Sequence, residues 1–276
     1  MTKSLMSKTA WTIVWHAVLI VFSASMLVPL CWAAVTSFKS PGQIYSSSLL
    51  GDPPTLANYV HAWTVSGLPR QLVNTFVMAL LIAGGQVVVA ALASFGLAYF
   101  KPLYGRLVFA ALAGSIVIPA QVLIIPQFLL TNALGWKNTM AGLVVPMLAS
   151  CALQVLITYQ HANGLPRSLT KAARLEGATS VDVFWHVVLP NIRPALNAVF
   201  ILAFIGGWNE YLWPLLVTDD ADSTTVQIGL QMFITAEGTN FGGLLAAAVI
   251  STLPILVIYL FASRQITDAF LKAGSA

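Results

Sequence analysis

Apolar residues fall in runs too long for a water-soluble core, separated by short polar punctuation. Residues 11–38, 71–100, 107–130, 140–159, 195–217 and 241–262 form six such runs. Each approaches or exceeds the roughly 20 residues a helix needs to cross the hydrocarbon of a bilayer. The pattern predicts an all-α, polytopic membrane protein, residues 1–276 making one domain of six transmembrane helices. The first run follows Lys3 and Lys8 and is longer than the apolar core of a cleaved leader, so it reads as a membrane helix. In the second run Ala90, Ser94 and Ala98 recur at helical spacing, which predicts an interior helix that another backbone approaches closely. Pro119 and Pro126 interrupt the third, beside Gln121 and Gln127.

Three polar segments stand out between the runs. Residues 39–69 read as an extramembrane loop with one short helix near 56–65, and residues 218–240 as an acidic loop carrying Asp219, Asp220, Asp222 and Glu237. The third, 161–193, has its own helix punctuation. Ser168 follows Pro166, and Leu169, Ala172, Ala173 and Leu175 fall on one face of a first short helix. Gly177 supplies a break. A second short helix is predicted from Ser180 to Leu189, capped by Thr179 or Ser180, with Asp182 near its positive end and Pro190 and Pro194 ending it.

Composition narrows the class. Hydrophobic residues make up 58% and charged residues 8%, too few charges to cover a soluble domain of this size. Of the 13 lysines and arginines, six helices would place Lys3, Lys8, Lys101, Arg106, Arg167, Lys171, Arg174, Arg193, Arg264 and Lys272 on one side. Only Lys39, Arg70 and Lys137 fall on the other, which puts both termini and segment 161–193 in the cytoplasm. The net charge of +4 is spread along the chain and gives no nucleic-acid patch. Cys31 and Cys151 lie within apolar runs and read as small buried hydrophobes. His16, His61, His161 and His186 are scattered, and neither a phosphate-binding loop nor a hydrolase motif is present. The chain is therefore read as neither an enzyme nor an ATPase, binding no metal or cofactor itself.

Within 161–193, Lys171-Ala172-Ala173, three residues, Gly177, nine residues and Val187-Val188-Leu189-Pro190 resemble the "EAA loop" of bacterial ABC importer permeases. Lys171 stands where that family has Glu, reversing a charge. Gly207-Trp208-Asn209-Glu210-Tyr211-Leu212-Trp213-Pro214-Leu215-Leu216 and Leu134-Gly135-Trp136-Lys137-Asn138-Thr139 further resemble the carbohydrate branch, most of all the smaller permease subunit of maltose-type and glycerol-phosphate-type importers. The resemblance covers nearly the whole chain. It implies an inner-membrane permease paired with a second, homologous permease, a cytoplasmic ATPase dimer holding ATP and Mg, and an extracytoplasmic binding protein meeting 39–69 and 218–240. It places ATPase coupling on Lys171, Ala172, Ala173, Arg174, Glu176, Gly177, Leu189 and Pro190.

For the solute path the sequence leaves two readings open. Glu210 is an ionisable residue well inside a run, where a charge costs about 2.5–3.5 kcal/mol unless it faces protein or water. With Asn209, Trp208, Tyr211 and Trp213 it either lines a cavity near a break at Gly206-Gly207 and Pro214 or forms an interfacial aromatic belt. Gln121, Gln127 and Asn74 are further candidates for the cavity. The solute expected is a sugar, polyol or glycerol-phosphate. A stand-alone secondary transporter or channel would show intramembrane ionic pairs or an internal repeat, and the sequence has neither.

Overall fold

The computed structural model describes residues 2–46, 48, 53–64, 67–235 and 238–273. The side-chain roles expected of Lys3, Lys8, Glu237, Arg264 and Lys272 lie outside the described residues. The chain is helical, in order α1 (Thr2–Thr36), α2 (Ala57–Thr64), α3 (Leu68–Phe95), α4 (Gly105–Val117), α5 (Ala120–Ala133), α6 (Met140–Leu148), α7 (Ala152–Asn163), α8 (Arg167–Leu175), α9 (Ser180–Asp182), α10 (Leu189–Trp208), α11 (Leu212–Val217), α12 (Val226–Gly229), a hairpin of β1 (Ile234–Thr235) and β2 (Gly238–Thr239), and α13 (Phe241–Ala273). Two compact units result, Met1–Ser66 with Met232–Ser251, and Gly67–Gln231 with Thr252–Ala276.

In the first unit the side chains of α1 from Ala10 to Trp32 are exposed. Their apolar surface is suited to lipid or to another membrane helix. Cys31 is accordingly exposed, against the expectation of burial, because none of the described residues of its unit covers this helix, whereas Cys151 in the second unit is buried. The end of α1 is tied to α2 by Asn58, whose Nδ2 donates to the carbonyls of Ser37 (2.8 Å) and Lys39 (2.7 Å). Tyr59 adds a hydroxyl pairing with Ser37 Oγ at 2.7 Å.

The second unit is built on α3, which packs against α6, α7, α10 and α12. Ala79, Ala83 and Ala90 are fully buried, and at Gly207 of α10 an added Cβ would lie 3.1 Å from Ala79 Cα. Small side chains let the two backbones approach here, at Ala79 and not at the expected stripe, of which Ala90 and Ser94 are buried and Ala98 half buried. Thr75 Oγ1 accepts from Val226 N–H (2.9 Å) and Asn74 Nδ2 donates to the carbonyls of Asp222 and Thr224. The acidic stretch is fixed further by ion pairs Arg70–Asp222 (2.9 Å) and Lys137–Asp219 (2.6 Å).

Among the described residues, four helical stretches are long and apolar enough to cross a membrane, Ala10–Thr36, Leu68–Phe100, Ser180–Trp208 and Phe241–Leu260. Two bent pairs would raise the number to six, α4 with α5 at 96° and α6 with α7 at 49°. The first bend has its cause in Pro119, which holds Ile118 extended at φ −76° and ψ 117° and supplies no N–H. Pro126 and Pro146 lie inside α5 and α6, which continue through them.

The largest departure from the sequence pattern concerns Pro190 and Pro194. Both were expected to end a short helix, yet the backbone is helical from Ser180 to Trp208. The residues Val183–Val188 wind as a π-helix, and Leu189 N–H donates to Phe184 O, five residues back. This wider turn takes in the proline that would otherwise clash with an α-helical carbonyl. The fifth span is therefore shifted toward the N-terminus relative to 195–217. The expected break at Gly206-Gly207 falls instead after Trp208, because Gly207 is clamped on Ala79.

Gly207→Val is expected to lower the stability of the purified protein by about 1–3 kcal/mol, while Gly206→Val, with no atom within 4 Å of its Cβ, leaves thermal unfolding unchanged. Equal unfolding temperatures for the two variants would contradict the close α3–α10 approach.

Candidate functional site

Segment 161–193 resolves into a short external helix joined to the long one. Pro166 precedes α8, and α8 closes with a left-handed Gly177 at φ +87°. Ala178 N–H donates to Ala173 O and Gly177 N–H to Arg174 O, both at 3.0 Å, the paired closure that needs a residue without Cβ at its hinge. Thr179 then caps the next helix. Its Oγ1 accepts from Asp182 N–H (3.3 Å), while Asp182 Oδ2 accepts from Thr179 N–H (2.9 Å). Hinge and cap are adjacent, so the direction of the chain is set over three residues.

The residues expected to couple to an ATPase occupy different sides of this element. Ala172, Glu176 and Gly177 are exposed, and Leu175 beside them is 90% exposed. Ala173 is half buried against a cluster that includes Val183, Phe184, Val188 and Ile192, which Leu189 also joins. Pro190 is exposed. Arg174, also exposed, reaches across to α3's extension, its Nε donating to Tyr99 Oη at 2.7 Å with Cζ 4.9 Å from the ring centre. Tyr99 in turn stacks on Phe95 at 4.7 Å. Lys171 is exposed and has no ion pair among the described residues.

At its other end the long helix meets a cavity of about 130 Å³ lined by Gln86, Met147, Ser150, Gln154, Gly206 and Glu210, among others. Two helix breaks face it. Between α6 and α7 the Met147 carbonyl keeps only a turn bond from Ser150 N–H at 3.2 Å, and Gln86 Nε2 donates to Met147 O at 2.8 Å and reaches Ser150 O at 3.5 Å. Gln154 Nε2 donates to Gln86 Oε1 at 2.8 Å, and Gln154 Oε1 is buried without a partner among the described residues. Between α10 and α11, Glu210 Oε1 accepts from Trp213 N–H at 3.1 Å and caps α11. Irregular backbone at membrane depth is tolerated where it borders a cavity rather than lipid.

Of the side chains singled out for the solute path, this cavity takes only Glu210. Trp208 is 2% exposed and packs with Phe204, Ala79 and Ala83. Trp213 is 1% exposed among Met78, Ile82 and Leu143, its indole N–H donating to Gly142 O at 3.0 Å. Neither presents a face to a sugar. Asn209 and Tyr211 are exposed, Asn209 Nδ2 donating to Ile205 O. Asn74 is engaged with the 222–224 backbone, and Gln121 and Gln127 sit on α5 away from the cavity lining. The sequence reading missed Gln86, Ser150 and Gln154. Their signal was an isolated amide inside each of two apolar runs.

Fold and site together define a polytopic membrane protein of the transport-subunit class. Residues 86–268 match the family model for the binding-protein-dependent transport system inner membrane component, and the chain belongs to that family. It is 32% identical over 261 residues to the sn-glycerol-3-phosphate transport system permease protein UgpE of Yersinia pestis bv. Antiqua (strain Antiqua), covering 90% of this chain and 92% of that protein. It is 33% identical over 263 residues to UgpE of Escherichia coli O1:K1 / APEC, covering 92% and 93%. The diacetylchitobiose uptake system permease protein NgcG of Streptomyces coelicolor is 29% identical over 258 residues, covering 92% and 85%. Its fold is similar to a chain from a crystal structure of a bacterial ABC transporter involved in the import of the acidic polysaccharide alginate, with TM-score 0.82, 20% identity and coverage of 94% and 97%. The protein is thus a permease component of an ABC importer, and ATP hydrolysis belongs to a separate subunit.

Gln86→Leu removes a side-chain donor from the Met147 carbonyl and the acceptor of the Gln154 amide and is expected to destabilise the protein by about 1–3 kcal/mol. The double variant with Gln154→Leu is expected to lose less than the sum of the single losses. Thermal unfolding in detergent checks this, and strictly additive losses would contradict the amide chain.

Proposed function

We propose that this chain pairs with a second, homologous permease, takes a solute from an extracytoplasmic binding protein, and is driven through segment 161–193 by a cytoplasmic ATPase dimer that holds ATP and Mg. In this reading both termini are cytoplasmic and the two bent pairs complete six spans. Residues 39–69 and 218–240 then face the binding protein. The observation that carries the proposal is the unbroken helix of 29 residues from Ser180 to Trp208. At 1.5 Å per residue it spans about 43 Å, with the loop at one end and the Glu210 cavity at the other.

A helix in hydrocarbon keeps its backbone bonds, so a push at its capped end moves it as a body. Gly177 lets α8 be held by a partner while α9 and α10 pivot. Ala172, Leu175, Glu176 and Gly177 offer the outward side for that partner, with Lys171 and Arg174 on the adjoining flank and Leu189 and Pro190 at the start of the lever.

For the solute we favour a neutral sugar or polyol over a phosphorylated one. Hydroxyls match two glutamine amides, a serine and one carboxylate, and no lysine or arginine is among the residues lining the cavity. A phosphate would meet Glu210 with no cation to offset the repulsion.

In the assembled importer, Gly177→Val is expected to abolish binding-protein-stimulated ATP hydrolysis and uptake, because a β-branched residue at φ +87° costs on the order of 1–2 kcal/mol or more. Gly177→Asn, which tolerates that conformation, is expected to keep most of both. Normal coupling in the valine variant would overturn the docking role.

A further inference from the structure

A second cleft, on the side of α8 that carries Arg167 and Thr170, has a chemistry that solute passage does not use and that shares only Lys171 and Arg174 with the proposed coupling surface. It encloses about 220 Å³, and its lining joins Lys101, Arg167, Lys171 and Arg174 to an apolar wall that includes Phe95 and Leu165. Arg167, Thr170, Lys171 and Arg174 all line it and stand at i, i+3, i+4 and i+7 of α8, so one stripe of that helix looks into the cleft. No carboxylate is among the lining residues, and neither ion pair of the described residues involves these four cations. Lys101 joins them from the end of the long α3 helix in a left-handed conformation, φ 47° and ψ 59°, which costs about 1 kcal/mol or more for a residue with a Cβ. Arg174 is preset, since its Nε is bound to Tyr99 while the remaining guanidinium donors are left to fork onto an anion.

We propose that this cleft binds the phosphate of an anionic phospholipid. Four cations without a counter-charge call for an anion, and the apolar wall calls for one with a hydrocarbon body. The cleft lies where an apolar span gives way to polar chain, and Phe100, Leu103 and Tyr104 next to Lys101 are 58%, 90% and 69% exposed, as residues at a bilayer boundary are. Basic pockets beside helix ends hold lipid headgroups by the same combination. An acidic side chain of the ATPase is the weaker fit, because it lacks the hydrocarbon body that the wall of Phe95, Leu165 and Val188 accommodates. The lipid ties the loop to the membrane surface, whichever solute the importer carries.

The test is native mass spectrometry of the full importer complex in detergent, titrated with phosphatidylglycerol, with phosphatidylcholine and with inorganic phosphate. Wild type is expected to retain phosphatidylglycerol over phosphatidylcholine. Lys101→Gln and Arg167→Gln are each expected to weaken that retention roughly fivefold, and Arg167→Lys to keep it in a complex of the same composition. Equal retention of the two lipids, or no loss in the glutamine variants, would overturn the proposal. Inorganic phosphate binding without lipid retention would reduce the cleft to a plain anion site and overturn it as well. Loss of the ATPase from Arg167→Gln with phosphatidylglycerol retention unchanged would reassign the cleft to partner docking. Failure of Gly177→Val to uncouple the complex would leave the lipid result standing, so the two readings fail separately.

Discussion

The structure depends on a single requirement, that backbone amides in hydrocarbon find their partners within the protein. The second unit can be read as a record of how that requirement is met wherever the chain departs from a straight helix. Pro190 is taken into the long helix by the π-helical turn at Val183–Val188. Asn191 Nδ2 donates to Val187 O at 2.6 Å just beyond that turn. The break after α6 is closed by Gln86, and the break after α10 by Glu210. The breaks after α6 and α10 thus each have a named side chain answering them, while the bend at Pro119 is closed by backbone bonds from Ile118 to Ser115 and from Val122 to Pro119.

Both breaks turn toward the same face of α3, which puts polar side chains in a cavity without exposing them to lipid. The close α3–α10 approach at Ala79 and Gly207 holds that geometry. A bulkier pair there would part the helices and spread the residues around Glu210. The same α10 begins, through α9, at the Thr179 cap and the Gly177 hinge. The proposed docking loop and the cavity are consequently two ends of one element rather than two sites needing a communication route.

Much of this was legible in the residues. The long apolar runs, the interior α3, the break at Gly177 and the cap at Thr179 or Ser180 all follow from local rules and recur in the structure, with the closest backbone approach at Ala79 instead of the Ala90–Ser94–Ala98 stripe. Prolines were the weak point. Pro119 bent its span, while Pro126, Pro146, Pro190 and Pro194 did not end theirs, because the consequence of a missing N–H depends on neighbours and on π-helical slack that sequence spacing does not reveal. The aromatic motif around Glu210 misled for a related reason. Trp208 and Trp213 look like sugar platforms in sequence, yet burial in the α3 interface claims both. The amides that do meet Glu210 come from α3 and α7, about 60 to 120 residues away, and only the tertiary fold brings Gln86 and Gln154 to it.

The central claim is that Ser180–Trp208 moves as one body. Its most direct test is a spin-label distance between cysteines placed at Val181 and Asn209, in a chain with Cys31 and Cys151 replaced by serine, measured in the assembled importer with and without ATP. The account predicts one narrow distance of about 40 Å in both states, in a complex whose ATP hydrolysis still responds to the binding protein. A distance that shortens or splits by several ångström on ATP binding would show the helix bending between loop and cavity, and would contradict it.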